Sequence, residues 1–320
     1  MKKYIKFTAM CLLAWVLWGF YGCNEDALFE KEQYEKVLCL LSDDDHIFTV
    51  VHSLEEDIST GNFSVIVGGS KHFEEDVTVE FEPETELLDQ YNKKNFDINT
   101  GKYARQLPAN RYSLSSMSLT IKAADKQQYG LLPVQVNTAG LSPDTTYVIP
   151  LRIKSVSKYK LNPDKINVLY RIRTKNHYAS QSPVTDYSSR GITQAENADA
   201  PEALNITKRI VPVSKNSIRF YPGRLNYDDR TATVDELQNN AVFIRINSGN
   251  SIDLLPYGTV QIEKIDEYST DNMYEEVVYG NLNRCTFYLH YKYRTQNNDG
   301  TYGEWIIVNE SLRIDRNKNE

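Results

Sequence analysis

The feature that most constrains this chain is alternation. From Val37 onward, apolar and polar residues alternate in short runs cut by turn signals, the pattern of strands with one buried face. Val77, Val79 and Phe81 alternate with Thr78 and Glu80. Similar runs lie at Val37–Leu41, Ile47–Val51, Phe63–Val67, Leu114–Ile121, Leu131–Val136, Tyr147–Ile153 and Val168–Arg173. Glu84–Asn95 departs from it, because Leu87, Leu88 and Tyr91 share a face at helical spacing. So many short strands over residues 34–176 predict an immunoglobulin-like β-sandwich with one helix.

The alternation fades over residues 177–203, where Ser180, Ser182, Pro183, Ser188, Ser189, Gly191 and Pro201 replace large apolar side chains. Such a stretch reads as a linker. Residues 204–320 resume the strand pattern at Ile206–Ile210, Ser217–Phe220, Ala241–Ile246, Thr259–Ile265, Thr286–Tyr293 and Trp305–Val308. Gln296–Gly300 (QNNDG) is a turn signal for an up-and-down hairpin between the last two. The expectation is an all-β chain whose second antiparallel domain is a lipocalin-like meander barrel, with a second sandwich as the alternative.

The chain start carries a different kind of information. Lys2, Lys3 and Lys6 precede an uncharged run of 16 residues, Phe7–Gly22. That run is short for a membrane span, which needs about 20 apolar residues, and suits a signal-peptide core ended by a small residue. Cys23 follows Gly22, so residues 1–22 read as a lipoprotein signal peptide, Cys23 as the lipidation site and residues 23–33 as a tether. Tyr21 and Phe20 stand where a lipobox usually has a small residue and Leu. Asn24-Glu25-Asp26 resembles the acidic signal that sends Bacteroidota lipoproteins to the outer face of the outer membrane. The expected location is therefore the cell surface, with membrane attachment through lipid alone.

Charge narrows the partners. The net charge is −7, and −10 without residues 1–22, so no basic stripe for nucleic acid is expected. Beyond Cys11 and Cys23, Cys39 and Cys285 lie far apart and read as two unpaired buried thiols. No paired Cys/His spacing points to zinc, and Asp43-Asp44-Asp45 lacks the ligand spacing of a calcium loop, so neither metal nor cofactor is expected. Catalytic signatures such as GxSxG and HExxH are missing. The acidic clusters Glu55-Glu56-Asp57, Glu74-Glu75-Asp76 and Asp228-Asp229 sit at turn signals, where solvated acids are the rule.

Three segments of the first domain are distinctive together: Tyr34–Leu41 (YEKVLCLL), Leu87–Phe96 (LLDQYNKKNF) and Leu141–Val156 (LSPDTTYVIPLRIKSV). With Asn162–Tyr170 and the second-domain segment Phe287–Tyr293 (FYLHYKY), they resemble a two-domain family of Bacteroidota surface lipoproteins. Its immunoglobulin-like N-terminal domain was long catalogued as of unknown function. Members are often encoded beside SusC/SusD-type importers in polysaccharide-utilisation loci. The resemblance implies a non-enzymatic glycan-binding accessory of an importer. The alternatives are an adhesin or structural subunit of the importer complex, and an uncharacterised hydrolase. No catalytic residue comes with it.

A glycan site needs aromatic faces for the sugar's C–H groups and a few polar groups for its hydroxyls. Trp305 is the one tryptophan beyond residue 22, with Tyr302 beside it and Tyr291 and Tyr293 across the turn. Tyr221, Arg224, Asn226 and Tyr227 form a second candidate platform, a loop with polar groups between two rings.

Overall fold

The computed structural model describes residues 34–125, 127–227 and 232–317; the leader, Cys23 and the tether lie outside them. The first domain runs β1 (Val37–Leu40), β2 (Ile47–Ser53), β3 (Ile58–Gly68), β4 (Val77–Pro83), α1 (Leu87–Phe96), β5 (Arg105–Gln106), β6 (Tyr112–Leu114), β7 (Ser118–Ile121), β8 (Tyr129–Asn137), β9 (Tyr147–Val156), β10 (Lys160–Leu161) and β11 (Asn167–Lys175). One sheet has the order β10-β1-β3-β8-β6. The other is β2-β11-β9-β4-β7, with β5 beside β9. Phe63, Val65, Leu132 and Val134 of the first interleave with Val79, Phe81, Ile153 and Tyr170 of the second, forming the expected sandwich. The run read as one strand at Leu114–Ile121 is divided. β6 ends in the first sheet and β7 begins in the second, because Ser115–Met117 carries the chain across.

Helix α1 packs on the outer face of the second sheet, where Leu87 joins Val148 and Leu169. Its first turn is capped by Glu84, whose Oε1 accepts the N–H groups of Thr85, Glu86 and Leu87 at 3.0, 2.9 and 3.3 Å. A carboxylate there complements the helix dipole.

The second domain contains β12 (Thr185–Ala195), β13 (Glu202–Ser214), β14 (Ser217–Phe220), α2 (Val234–Asn240), β15 (Val242–Ile246), β16 (Ile252–Pro256), β17 (Gln261–Lys264), β18 (Met273–Tyr279), β19 (Leu282–Arg294) and β20 (Ile306–Asn317). Neighbours follow the meander β16-β15-β14-β13-β12-β20-β19, and β17 and β18 share the far edge of β19. Gln261 lies opposite Arg294 and Met273 opposite Tyr288, so the two short strands act as one, interrupted at 265–272. The edges nearly meet: Ser251 bridges Met273, and the Ile252 N–H donates to the Asn272 carbonyl at 2.8 Å. This is a nearly closed up-and-down barrel, as the meander pattern predicted.

Its first strand, β12, lies inside the stretch expected to be a linker, 177–203. The inward positions after Tyr187 are Ser189, Gly191 and Thr193, which lack the large apolar side chains by which a strand is recognised. Packing requires Gly191 and Ser189 small. A Cβ on Gly191 would lie 2.0 Å from the Asn309 carbonyl oxygen of β20, and Ser189 serves a buried acid. Glu310 receives hydrogen bonds from Lys208 (2.8 and 2.7 Å), Ser189 (2.5 Å) and Tyr291 (2.6 Å) inside the barrel. Tyr187, Phe220 and Phe287 pack in the same interior.

Candidate functional site

Two hollows adjoin where the barrel wall faces the sandwich. One, of about 280 Å³, is lined by Tyr91, Phe96, Lys102, Tyr103, Arg105, Arg171 and Arg173 of the first domain and by Ala232, Val234 and Leu237 around α2. The other, of about 260 Å³, shares Asp144, Thr146, Arg173 and Leu237 with it and adds Arg209 and Arg219 from the barrel.

Local structure explains how these side chains come together. Asn92 of α1 is buried; its amide donates to the Ala104 carbonyl at 2.9 Å and accepts the Ala104 N–H at 2.8 Å. That clamp holds the segment bearing Lys102, Tyr103 and Arg105 against the helix. The Arg105 N–H donates to the Thr146 carbonyl at 2.8 Å, and β5 continues in parallel beside β9. On β11, Tyr170 and Ile172 enter the core, so Arg171 and Arg173 stand on the outer face, where α1 also packs. The Arg171 Nε donates to Thr49 Oγ1 at 2.9 Å. Tyr91 meets Phe96 edge-on with centroids 6.0 Å apart, and Phe96 lies 6.5 Å from Tyr103. Across the domain boundary, Arg219 Nη2 lies 2.8 Å from Asp144 Oδ1, both side chains 1% exposed. The guanidinium also covers Tyr221 at 5.0 Å.

The residues expected from sequence are distributed differently. Trp305 is half-buried beside the outward-facing part of β19, with Lys292 Nζ 4.5 Å and Arg294 Cζ 4.6 Å from its ring centroid. Arg294 also lies 5.1 Å from the Tyr302 ring, and the Tyr302 hydroxyl donates to the Thr259 carbonyl at 3.1 Å. The indole therefore faces cations. Tyr291 and Tyr293 do not share this surface. Strand alternation turns them into the barrel, where they are buried, while Lys292 and Arg294 point out. There they meet the second candidate segment instead. The Gly223 N–H donates to the Tyr291 hydroxyl at 2.8 Å. Gly223 has φ +55°, and a Cβ on it would lie 2.7 Å from the Tyr293 hydroxyl. Burial pushes the Tyr293 hydroxyl up to about 12. Tyr221 is buried, 5.0 Å from the half-buried Tyr227. Arg224 and Asn226 are exposed, and Arg224 reaches the Ala203 carbonyl at 2.6 Å and Glu202 at 3.2 Å.

The cleft residues went unread because they come from segments far apart in sequence. Two local signals existed: Arg171 and Arg173 two apart on a predicted strand, and Thr233–Glu236, which forms the capping box of α2. The acidic clusters at 55–57 and 74–76 are exposed, and Asp228-Asp229 falls outside the described residues. Asp43 closes a turn, accepting the N–H groups of Asp45 and Ile47 at 3.0 and 2.7 Å. Cys39 and Cys285 are free thiols in different domains, and burial pushes both above the usual thiol value.

Family models match both halves of the chain: one described as an N-terminal domain at residues 34–160, the other as C-terminal at 166–313. Whole-chain similarity to Bacteroides structures runs across both domains. A Bacteroides ovatus structure of unknown function aligns with TM-score 0.68 at 17% identity, over 89% of this chain and 97% of the other. The two family-model matches together span residues 34–313, so the chain belongs to the two-domain family that these N-terminal and C-terminal models describe. A multidomain Bacteroides ovatus protein including DUF1735 aligns with it at TM-score 0.62 and 16% identity, over 88% and 97% of the two chains. An auxiliary nutrient binding protein from Bacteroides thetaiotaomicron aligns at TM-score 0.62 and 16% identity, over 86% and 92%. No curated protein matches the chain. At these identities the likeness is one of fold. In this member of the family, the cleft sets aromatic rings beside guanidinium groups, an arrangement that can hold a polar ring-shaped ligand by its face and its edge.

Proposed function

We propose that this protein is a cell-surface lipoprotein that binds a glycan without transforming it, as an accessory to uptake through a SusC/SusD-type importer pair. The observation that carries the reading is the interdomain cleft. Tyr91, Phe96 and Tyr103 line it with aromatic rings suited to a sugar's C–H groups, and the arginines that share the lining carry N–H donors for its hydroxyls. The shared fold with an auxiliary nutrient binding protein supports an accessory binding role. The basic and apolar leader, Cys23 and Asn24-Glu25-Asp26 support an outward-facing lipid anchor on the outer membrane.

The test is retention of the full chain, purified in detergent, by affinity electrophoresis through plant, microbial and host polysaccharides. At least one class should retard it, and Tyr103→Ala should weaken that retention. Free migration through every polysaccharide would sink the glycan reading. In the same cells Cys23→Ala should move the protein out of the membrane fraction; a variant that stayed there would remove the lipid anchor.

A further inference from the structure

We propose that the ligand of the interdomain cleft is an anionic saccharide, one bearing carboxylate or sulfate groups; this rests on the glycan reading above and names its chemical class. The protein as a whole is acidic, with net charge −7. The cleft reverses that sign. Its two hollows are lined by Lys102, Arg105, Arg171, Arg173, Arg209 and Arg219, against one lining carboxylate, Asp144.

The acids within reach offset only part of this charge. Asp144 holds Arg219 at 2.8 Å. Glu236 of α2 offsets Lys102 while its carboxylate also accepts the Thr233 N–H at 2.8 Å in the capping box. Asp228 and Asp229 lie outside the described residues; counting both against the cleft with Asp144, Asp186 and Glu236 sets five acids against six cations. Arg209 meets Asp186 at 3.4 Å. Among the described residues, neither Arg105 nor Arg171 enters an ion pair, and Arg171 spends only its Nε, on Thr49.

Cations crowded together repel one another, and a half-enclosed cleft screens them less than open solvent does. A bound anion relieves both penalties. Guanidinium groups are suited to this, because their planar fork matches the two oxygens of a carboxylate or sulfate. A positive cleft on a negative surface also steers an acidic polymer toward one place. The aromatic lining of Tyr91, Phe96 and Tyr103 then distinguishes a sugar from a bare anion, since it offers apolar surface to C–H groups.

The experiment measures affinity of the full chain, in detergent, for polygalacturonate, its carboxyl-reduced neutral form, dextran sulfate, dextran and inorganic sulfate. Polygalacturonate or dextran sulfate should bind at least about tenfold more tightly than its neutral counterpart, and the winning arm identifies the charged group. Added salt should weaken that binding. Arg105→Gln and Arg171→Gln should each weaken it about tenfold with unchanged thermal unfolding, and Arg105→Lys should recover part of the loss. Equal binding of neutral and charged forms, indifferent to Arg105→Gln, would overturn the anionic class and leave the glycan reading standing. Inorganic sulfate competing as well as the polymers would make this a small-anion site and overturn the saccharide. Failure to bind any polysaccharide, here and across the wider set, would remove both.

Discussion

His52 shows how much one buried side chain can make of pH. It is fully buried in the sandwich, with Nε2 2.9 Å from the Tyr170 hydroxyl. Gly61 leaves room for the pair, since a Cβ there would lie 1.9 Å from that hydroxyl. Desolvation lowers the His52 pKa from 6.5 to about 4, with the Ser59 backbone opposing it. The imidazole is therefore held neutral in the fold, while the unfolded chain protonates it first on acidification. Above about pH 6.5 both states carry the neutral ring and the full stability is present. As pH falls from 6.5 to about 4 the unfolded state gains a proton that the fold refuses, a loss approaching about 3 kcal/mol. His52→Gln should keep a hydrogen bond to Tyr170 and flatten this part of the profile. Urea midpoints at several pH values between 4 and 7 decide it, and parallel profiles for the two proteins would assign the slope to other groups.

At the scale of elements, the barrel is organised around Glu310 of β20, whose four hydrogen bonds come from three other strands. Lys208 lies 5.3 Å from the Phe220 ring, and burial pulls its ammonium below the usual value while Glu310 opposes the shift. Lys208→Met leaves a buried carboxylate with only two hydroxyl donors. It should destabilise the barrel by about 3–5 kcal/mol, and Lys208→Met with Glu310→Leu should recover part of that, because no uncompensated charge remains. Thermal unfolding of both variants measures the difference; a double variant less stable than the single one would contradict it.

The same network marks the boundary of what was legible. The strands read from sequence bury apolar side chains on alternate positions, as β4 does with Val77, Val79 and Phe81. β12 escaped because its inward face is built from Ser189, Gly191 and Thr193, of which Ser189 answers to Glu310 and Gly191 to the β20 backbone, both distant in sequence. β18 escaped because most of its side chains, Glu275, Glu276, Val278 and Tyr279 among them, face outward. The α1 region was legible from its own periodicity, whereas the cleft it borders was not. Lys102, Arg171 and Arg209 converge only after the sandwich and barrel have docked.

At the scale of the molecule, the two domains are joined by more than a tether. The Asn176 amide donates to the carbonyls of Ser214 and Ser217 at 2.6 and 3.0 Å, and the Gln181 amide donates to that of Pro143 at 2.8 Å. Arg316 hydrogen-bonds the carbonyls of His177 and Tyr178. These bonds seat the linker, but the contact that fixes the cleft is Asp144 with Arg219, because it joins the 142–146 loop directly to the barrel wall with both charges out of water. Asp144→Ala leaves Arg219 buried without that carboxylate, at a cost of about 3–5 kcal/mol. Each domain keeps its own core, so the strain should be relieved by parting the domains. Amide exchange should then rise in residues 141–146 and in α2, and binding at the cleft should weaken with it. Asp144→Asn keeps a hydrogen-bond acceptor for the guanidinium and should change both readouts less. If Asp144→Ala lowers stability while exchange in those segments stays protected, the pair stabilises the barrel locally and the cleft is held by the linker bonds instead.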